Sequence, residues 1–299
     1  MKKFRFLSVI LLLGLFLACS KKSADEDDTA TKLVNKAGNL KGSGESANDI
    51  LSNTNFDKML IEIAYVKGFK PSDGAMNSFT AYLKQHSFKE NIELSYKELK
   101  SPNKETLSLE EISELEQENR TAYNDGKTLA FYIYFADAPS DEDDEEEDLV
   151  TLGAVYRNTS MIIYEKTIKK LAATNFSVTN EDIETPTINH EFGHLLGLVN
   201  LGFEDEPNSP LKTTMVNPHE DTTAANHCTT EGCLMRAELQ FSTSNKGATI
   251  SFNSGIKAGC KLNAISVLHM LKNKNAKSGL NTIDLGAECI LDLKANGGR

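Results

Sequence analysis

The stretch His190-Glu191-Phe192-Gly193-His194-Leu195-Leu196-Gly197 decides how this chain is read. Its pattern is H-E-x-x-H-x-x-G, and four of the six histidines lie between His190 and His227. On a helix, residues i and i+4 stand on one face a turn apart, so His190 and His194 can offer two imidazole nitrogens to one ion. Glu191 falls on the adjoining flank, where a carboxylate can work on a metal-bound water without being a ligand itself. Local signals put the stretch on a helix over 186–196. Ile188, Phe192, Leu195 and Leu196 form an apolar stripe. Thr185-Pro186 reads as an N-cap followed by proline at the first helical position. Glu181, Asp182 and Glu184 lie on the side where the helix dipole favours acids. Gly197 stands where the chain would leave the helix through positive φ.

Working outward, the residues before the motif alternate between strand and helix patterns. Segments 58–69 and 92–99 alternate like strands, and 128–135 (TLAFYIYF) is the strongest strand. Segments 72–86 and 108–123 have helical stripes, the second opened by a Ser-x-x-Glu capping box of Ser108 and Glu111. A hairpin is expected from 149–156 and 160–166 about Arg157-Asn158-Thr159, followed by a short helix over 168–173. Beyond the motif come a long loop to about Leu234 and a helix near 263–272.

The chain begins with Lys2, Lys3 and Arg5 and an apolar run from Phe6 to Ala18, too short for a membrane span and right for a signal peptide. Leu17-Ala18-Cys19 resembles the lipobox of bacterial lipoproteins, which implies a lipidated Cys19 and a membrane anchor; an ordinary secretory signal is the alternative. The cluster Asp25-Glu26-Asp27-Asp28 resembles the surface-export signal of some Gram-negative lipoproteins. The two resemblances imply a bacterial cell-envelope location, with a lipid anchor at the outer membrane and surface exposure as the expectation. The domains read as 1–19 signal peptide, 20–52 disordered linker rich in Ser, Gly, Asn and Lys, and 53–299 one folded domain.

The formal net charge is −11, but twelve of the acids sit in two runs, 25–28 and 141–148. Elsewhere the charges nearly balance, and no basic stripe is present, which excludes nucleic acid as a partner. The run 141–148 reads as an exposed loop; it lacks the turn glycine of a calcium loop. Apart from Cys19 the cysteines are Cys228, Cys233, Cys260 and Cys289, an even number in an oxidising compartment. Two disulfides are the default, and proximity favours Cys228–Cys233 and Cys260–Cys289; a thiolate metal site is the rival.

H-E-x-x-H-x-x-G, with its glycine three residues after the second histidine, resembles the signature of the metzincin clan of zinc peptidases. The resemblance implies an α+β fold of metzincin-like zincin type: a twisted mixed sheet plus helices in an upper subdomain, an active-site helix, and a loop-rich lower subdomain. It implies Zn2+ as cofactor, a protein or peptide substrate, Glu191 as the catalytic base, and a third ligand three residues past the glycine. That place holds Asn200, whose neutral amide is a weak donor. Downstream, His227-Cys228-Thr229-Thr230-Glu231-Gly232-Cys233-Leu234-Met235 reads H-C-x4-C-x-M. It resembles the segment that directly continues the zinc motif in the archaemetzincin branch. The resemblance implies an insertion after Val199-Asn200, His227 as third ligand and Met235 as the Met-turn beneath the metal, with a Cys228–Cys233 bridge holding the loop. His219 is the alternative third ligand. The branch's later C-x-x-C is absent, so its second zinc site is not implied. The expected activity is zinc-dependent endopeptidase; the alternative is a surface-anchored binding lipoprotein on an inactive metzincin scaffold.

Overall fold

The computed structural model describes residues 35–144, 149–174, 176, 178–199, 219–222, 224–236, 260–263 and 283–299. The expected signal peptide, Cys19, the acidic cluster at 25–28, Asn200 and residues 145–148 of the acidic run lie outside them, as does the helix expected after Asn263. Among the described residues no helix is long and apolar enough to cross a membrane.

A six-stranded mixed sheet organises the chain, in the order β2-β1-β3-β5-β4-β8. Its strands are β1 (Lys58–Val66), β2 (Asn91–Leu99), β3 (Thr128–Phe135), β4 (Leu149–Arg157), β5 (Ser160–Ile163) and β8 (Cys260–Asn263); β6 (Glu220–Asp221) and β7 (Ala224–Cys228) form a separate pair. From β2 through β1 and β3 to β5 the strands are parallel. β4 runs antiparallel to β5 and to β8. The helices are α1 (Ala47–Leu51), α2 (Asp73–His86), α3 (Leu109–Asn119), α4 (Glu165–Ala173), α5 (Asn180–Leu195) and α6 (Ala287–Ala295).

Connection handedness explains the layers. The step from β1 through α2 to β2 moves one way across the sheet, and the step from β2 through α3 to β3 moves back. With both crossovers right-handed, the two helices must cover opposite faces. They do. Met59, Ile61, Ile63, Leu129, Phe131 and Ile133 meet α2, α4 and α5, while Val66, Tyr132, Tyr134, Tyr156 and Ile162 meet Ile112 of α3. Buried on both faces, β3 reads as an unbroken apolar run. β2, at the sheet edge, alternates exposed and half-buried residues. The outer side of β4 is taken by β8 along Leu149 to Gly153, so this stretch is not open to pair with an extended substrate.

Two sequence expectations need correction. The linker predicted over 20–52 ends by Asn35: Asn39, Ala47, Ile50 and Leu51 are buried, and Asn39 donates to the Ala130 carbonyl at 2.9 Å. Ser/Gly composition concealed a few large apolar anchors. The second concerns the motif helix, which starts at Asn180 with Pro186 inside it. A reciprocal cap prevails over Thr185. Thr179 Oγ1 accepts from the Asp182 N–H at 3.2 Å, and Asp182 Oδ2 accepts from the Thr179 N–H at 2.8 Å. The early turns are also tied to α2, because Glu184 accepts from Ser72 N–H and Oγ at 2.9 and 2.5 Å.

Beside Glu184, the buried Glu165 is pushed up from 4.5 to about 9, by burial first and then by the Glu184 charge. A carboxyl whose folded pKa is raised favours the fold fully below its ordinary pKa, and that contribution is lost as pH rises through about 9. Glu165→Gln should therefore flatten the fall in melting temperature between pH 5 and pH 9. Parallel melting curves for the two proteins check it; equal falls would refute the assignment.

Candidate metal centre

The site begins with how α5 is anchored. Phe192 turns toward the sheet and meets Phe79 of α2 at 5.0 Å and Phe131 of β3 at 5.2 Å between ring centroids. That rotation sends His190 and His194 to the other side, where β7 delivers His227. The three rings stand 5.0, 5.3 and 5.4 Å apart, and one ring nitrogen from each lies within 4.8 Å of the other two. All three are buried. Gly197, at φ 68°, turns the chain away from the helix as expected.

Protonation follows from the contacts. His190 Nδ1 lies 2.7 Å from the Leu234 carbonyl, which can only accept, so Nδ1 carries the proton and Nε2 keeps its lone pair for a ligand. Burial, then the neighbouring His227, lowers His190 to about 3. Burial likewise drives His194 well down, with His190 and His227 adding to the effect. Neutral imidazoles converging on one point are what a divalent cation requires. The donor set therefore fits zinc, a four-coordinate ion that would find three nitrogens here.

Glu191 is only 2% exposed and lies against β4. A Cβ at Gly153 would come within 2.6 Å of its Cγ, so the bare glycine backbone makes room for this carboxylate. Met235, fully buried, passes beneath the same helix: a Cβ on Gly193 would lie 2.2 Å from its sulfur. Gly193→Ala should destabilise the fold by about 1–3 kcal/mol through overpacking, although alanine otherwise favours a helix by about 1 kcal/mol. In a Met235→Ala background the same change should become neutral or stabilising. Urea unfolding of the four proteins measures this coupling; additive effects would refute the close approach.

The alternative third ligand goes elsewhere. His219 is not with His190 and His194: its Nε2 meets Asp292 Oδ2 at 2.7 Å and its Nδ1 meets Cys228 Sγ at 3.2 Å. Nor do the expected disulfides form. Cys228, Cys233 and Cys289 are free and buried, and Cys233 Sγ lies 3.6 Å from Cys289 Sγ. Sequence proximity misled, because α6 folds back to bring Cys289 against the 228–233 loop; Cys260 is on β8, paired with Gly153. Hydrogen bonds from Cys233 and then Cys289 hold the Cys228 thiol far below its ordinary value.

Several contributors escaped sequence reasoning. The Leu234 carbonyl has no side-chain signal. Gly153 is a plain glycine in a strand, and Asp292 sits on a helix with no motif; only the isolated glycine hinted at a close approach.

No protein-family description matches this chain, and no curated protein matches it. Among solved structures it is similar to archaemetzincin (amzA) from Methanopyrus kandleri, with a TM-score of 0.43 and 11% identity, covering 80% of this chain and 96% of that one.

Proposed function

We propose that the chain is a zinc-dependent endopeptidase of metzincin type, with His190, His194 and His227 as ligands, Glu191 as general base and Met235 as the Met-turn. The observation that carries this reading is the meeting of three buried imidazoles, two from α5 and one from β7, beside the buried Glu191 of α5. His190 and His194 supply two ligands one helical turn apart. His227 arrives from β7, and the Leu234 carbonyl orients the His190 ring. Zinc would contribute a Lewis acid that lowers the pKa of water and polarises the scissile carbonyl.

The chain's own residues do the rest. The Glu191 carboxylate takes the proton of the attacking water and passes it to the departing amine nitrogen. Gly153 leaves space for that carboxylate to sit close to β4. The shielded setting strengthens each of these electrostatic contacts. The same reading has Cys19 lipidated, the protein held at the cell envelope, and a protein or peptide as substrate.

Digestion of a mixed peptide library by the full-length chain tests it, with Glu191→Ala as control. Internal cleavage that disappears in the control is the expected result. No cleavage by a zinc-loaded chain would favour a binding protein on an inactive scaffold.

A further inference from the structure

Where α5 ends, the chain turns away sharply, and the carbonyls of that exit find donors from far along the sequence. The last four carbonyls of a helix have no partner within it. Here the Gly197 N–H donates to the His194 carbonyl at 3.1 Å, and the Leu198 N–H donates to the Gly193 carbonyl at 3.3 Å. The positive φ of Gly197 makes that closure possible. The next two carbonyls, of Leu196 and Gly197, both accept from Asn296 Nδ2, at 3.1 and 3.0 Å. Leu196 and Leu198 are buried at this turn, and a carbonyl left unpaired in such a place costs more than one open to water.

Asn296 is itself held. It closes α6, where its N–H donates to the Asp292 carbonyl at 2.9 Å, and Asn48 Nδ2 of α1 donates to its carbonyl at 3.0 Å. Gly297 follows at φ 102°, and a Cβ there would lie 2.5 Å from Asn48 Nδ2, so this close approach requires glycine. The other end of the same segment reaches a second part of the site. The Asp284 carbonyl accepts the Leu234 N–H at 2.9 Å, and the Leu234 carbonyl accepts from His190 Nδ1 at 2.7 Å. Residues 284–296 thus hold the metal centre's frame at two places. One is the exit of the helix that carries His190 and His194; the other is the turn that orients the His190 ring.

We propose that Asn296 is a positioning residue for the metal centre. By donating to both carbonyls it fixes the exit of α5, and together with Asp284 it makes the segment across α6 a brace between α5 and the Leu234 turn. Asn296 touches neither ion nor substrate; it acts through the backbone that carries His194. An amide suits this task, because its two N–H groups serve one carbonyl each. An aspartate of the same size has only acceptors and would set a negative charge against both oxygens. The brace contributes preorganisation, since ligands held in place beforehand need not be ordered when the ion binds. The role rests on the zinc reading of His190, His194 and His227.

Zinc affinity separates this role from a contribution to stability alone. In the full-length chain, competition with a chromogenic chelator measures the zinc site that His194→Ala abolishes. Asn296→Asp should weaken that site by about tenfold or more, the low end for outer partners of a metal ligand. It should also shrink the rise in melting temperature that added zinc produces. Asn296→Ala carries the same prediction without the added charge, and it decides the matter where the aspartate variant does not fold. Arg299→Ala is the control. It removes the bonds to the Lys84 carbonyl and to Glu90 from the end of the same segment, so it should lower the melting temperature of the metal-free chain and leave zinc affinity unchanged. Asn296 variants that bind zinc as tightly as the unsubstituted chain would overturn the positioning role, as would equal weakening in Arg299→Ala. Zinc binding that survives His194→Ala undiminished would overturn the zinc reading itself, and the positioning role with it.

Discussion

Glu191→Gln should retain zinc and lose peptide hydrolysis by about 10²–10⁴-fold, the range attributed to a positioned general base. The amide keeps the size of the carboxylate and its place beside Gly153, so the fold and the three imidazoles should be undisturbed. What disappears is the ability to accept a proton from water. The diagnostic pattern is a fall in kcat with zinc content unchanged, because an interaction made only in the transition state has been removed. A variant that hydrolyses peptides at the original rate would dismiss Glu191 as the base. One that loses zinc along with activity would make Glu191 a ligand instead.

His227→Ala is the second large effect. Loss of even an outer partner of a metal ligand costs about 10–100-fold in affinity, so removal of a ligand should exceed about 100-fold. His227 lies on the short strand β7, its ring 5.3 Å from that of His190 and 5.4 Å from that of His194. With two nitrogens left on α5, the site should release zinc to a moderate chelator that the unsubstituted chain resists. Equilibrium dialysis at fixed free zinc provides the check. Unaltered retention at the site holding His190 and His194 would return the third-ligand role to another residue. His219→Ala separates the two histidines, since Asp292 and Cys228 hold His219 away from His190 and His194.

How far the sequence revealed this arrangement depends on where each signal resides. Thr128–Phe135 matches its predicted strand because seven consecutive residues buried on both faces, Leu129 to Phe135, leave an unmistakable apolar run. The capping box of Ser108 and Glu111 is present as read, because its chemistry is local. His190 and His194 were legible for the same reason: four residues of helix are enough to bring them together. The start of α5 was not, since Thr185-Pro186 has the form of a cap and only the contacts of Thr179 and Glu184 extend the helix past it.

Long-range partners were the hardest to see. The cysteines were paired by nearness in sequence, but Cys289 reaches Cys233 only because Ala287–Ala295 folds back on the loop. For the same reason His219 reads in the sequence as an alternative third ligand, when Asp292 from that helix holds it beside Cys228. In the H-C-x4-C-x-M segment the His227 ring meets those of His190 and His194 while the neighbouring Cys228 meets His219, a divergence that composition alone did not show. The buried polar groups around Glu165 and Glu184 had no sequence signature at all.

Anomalous diffraction at the zinc edge from crystals of the full-length chain would show whether an ion sits among the three imidazoles. A peak surrounded by ring nitrogens of His190, His194 and His227, each at about 2.0–2.1 Å, is expected, with the Glu191 carboxylate close by and unbound. A zinc-loaded crystal with no peak among those three rings, or with the His227 ring turned away from the other two, would contradict it.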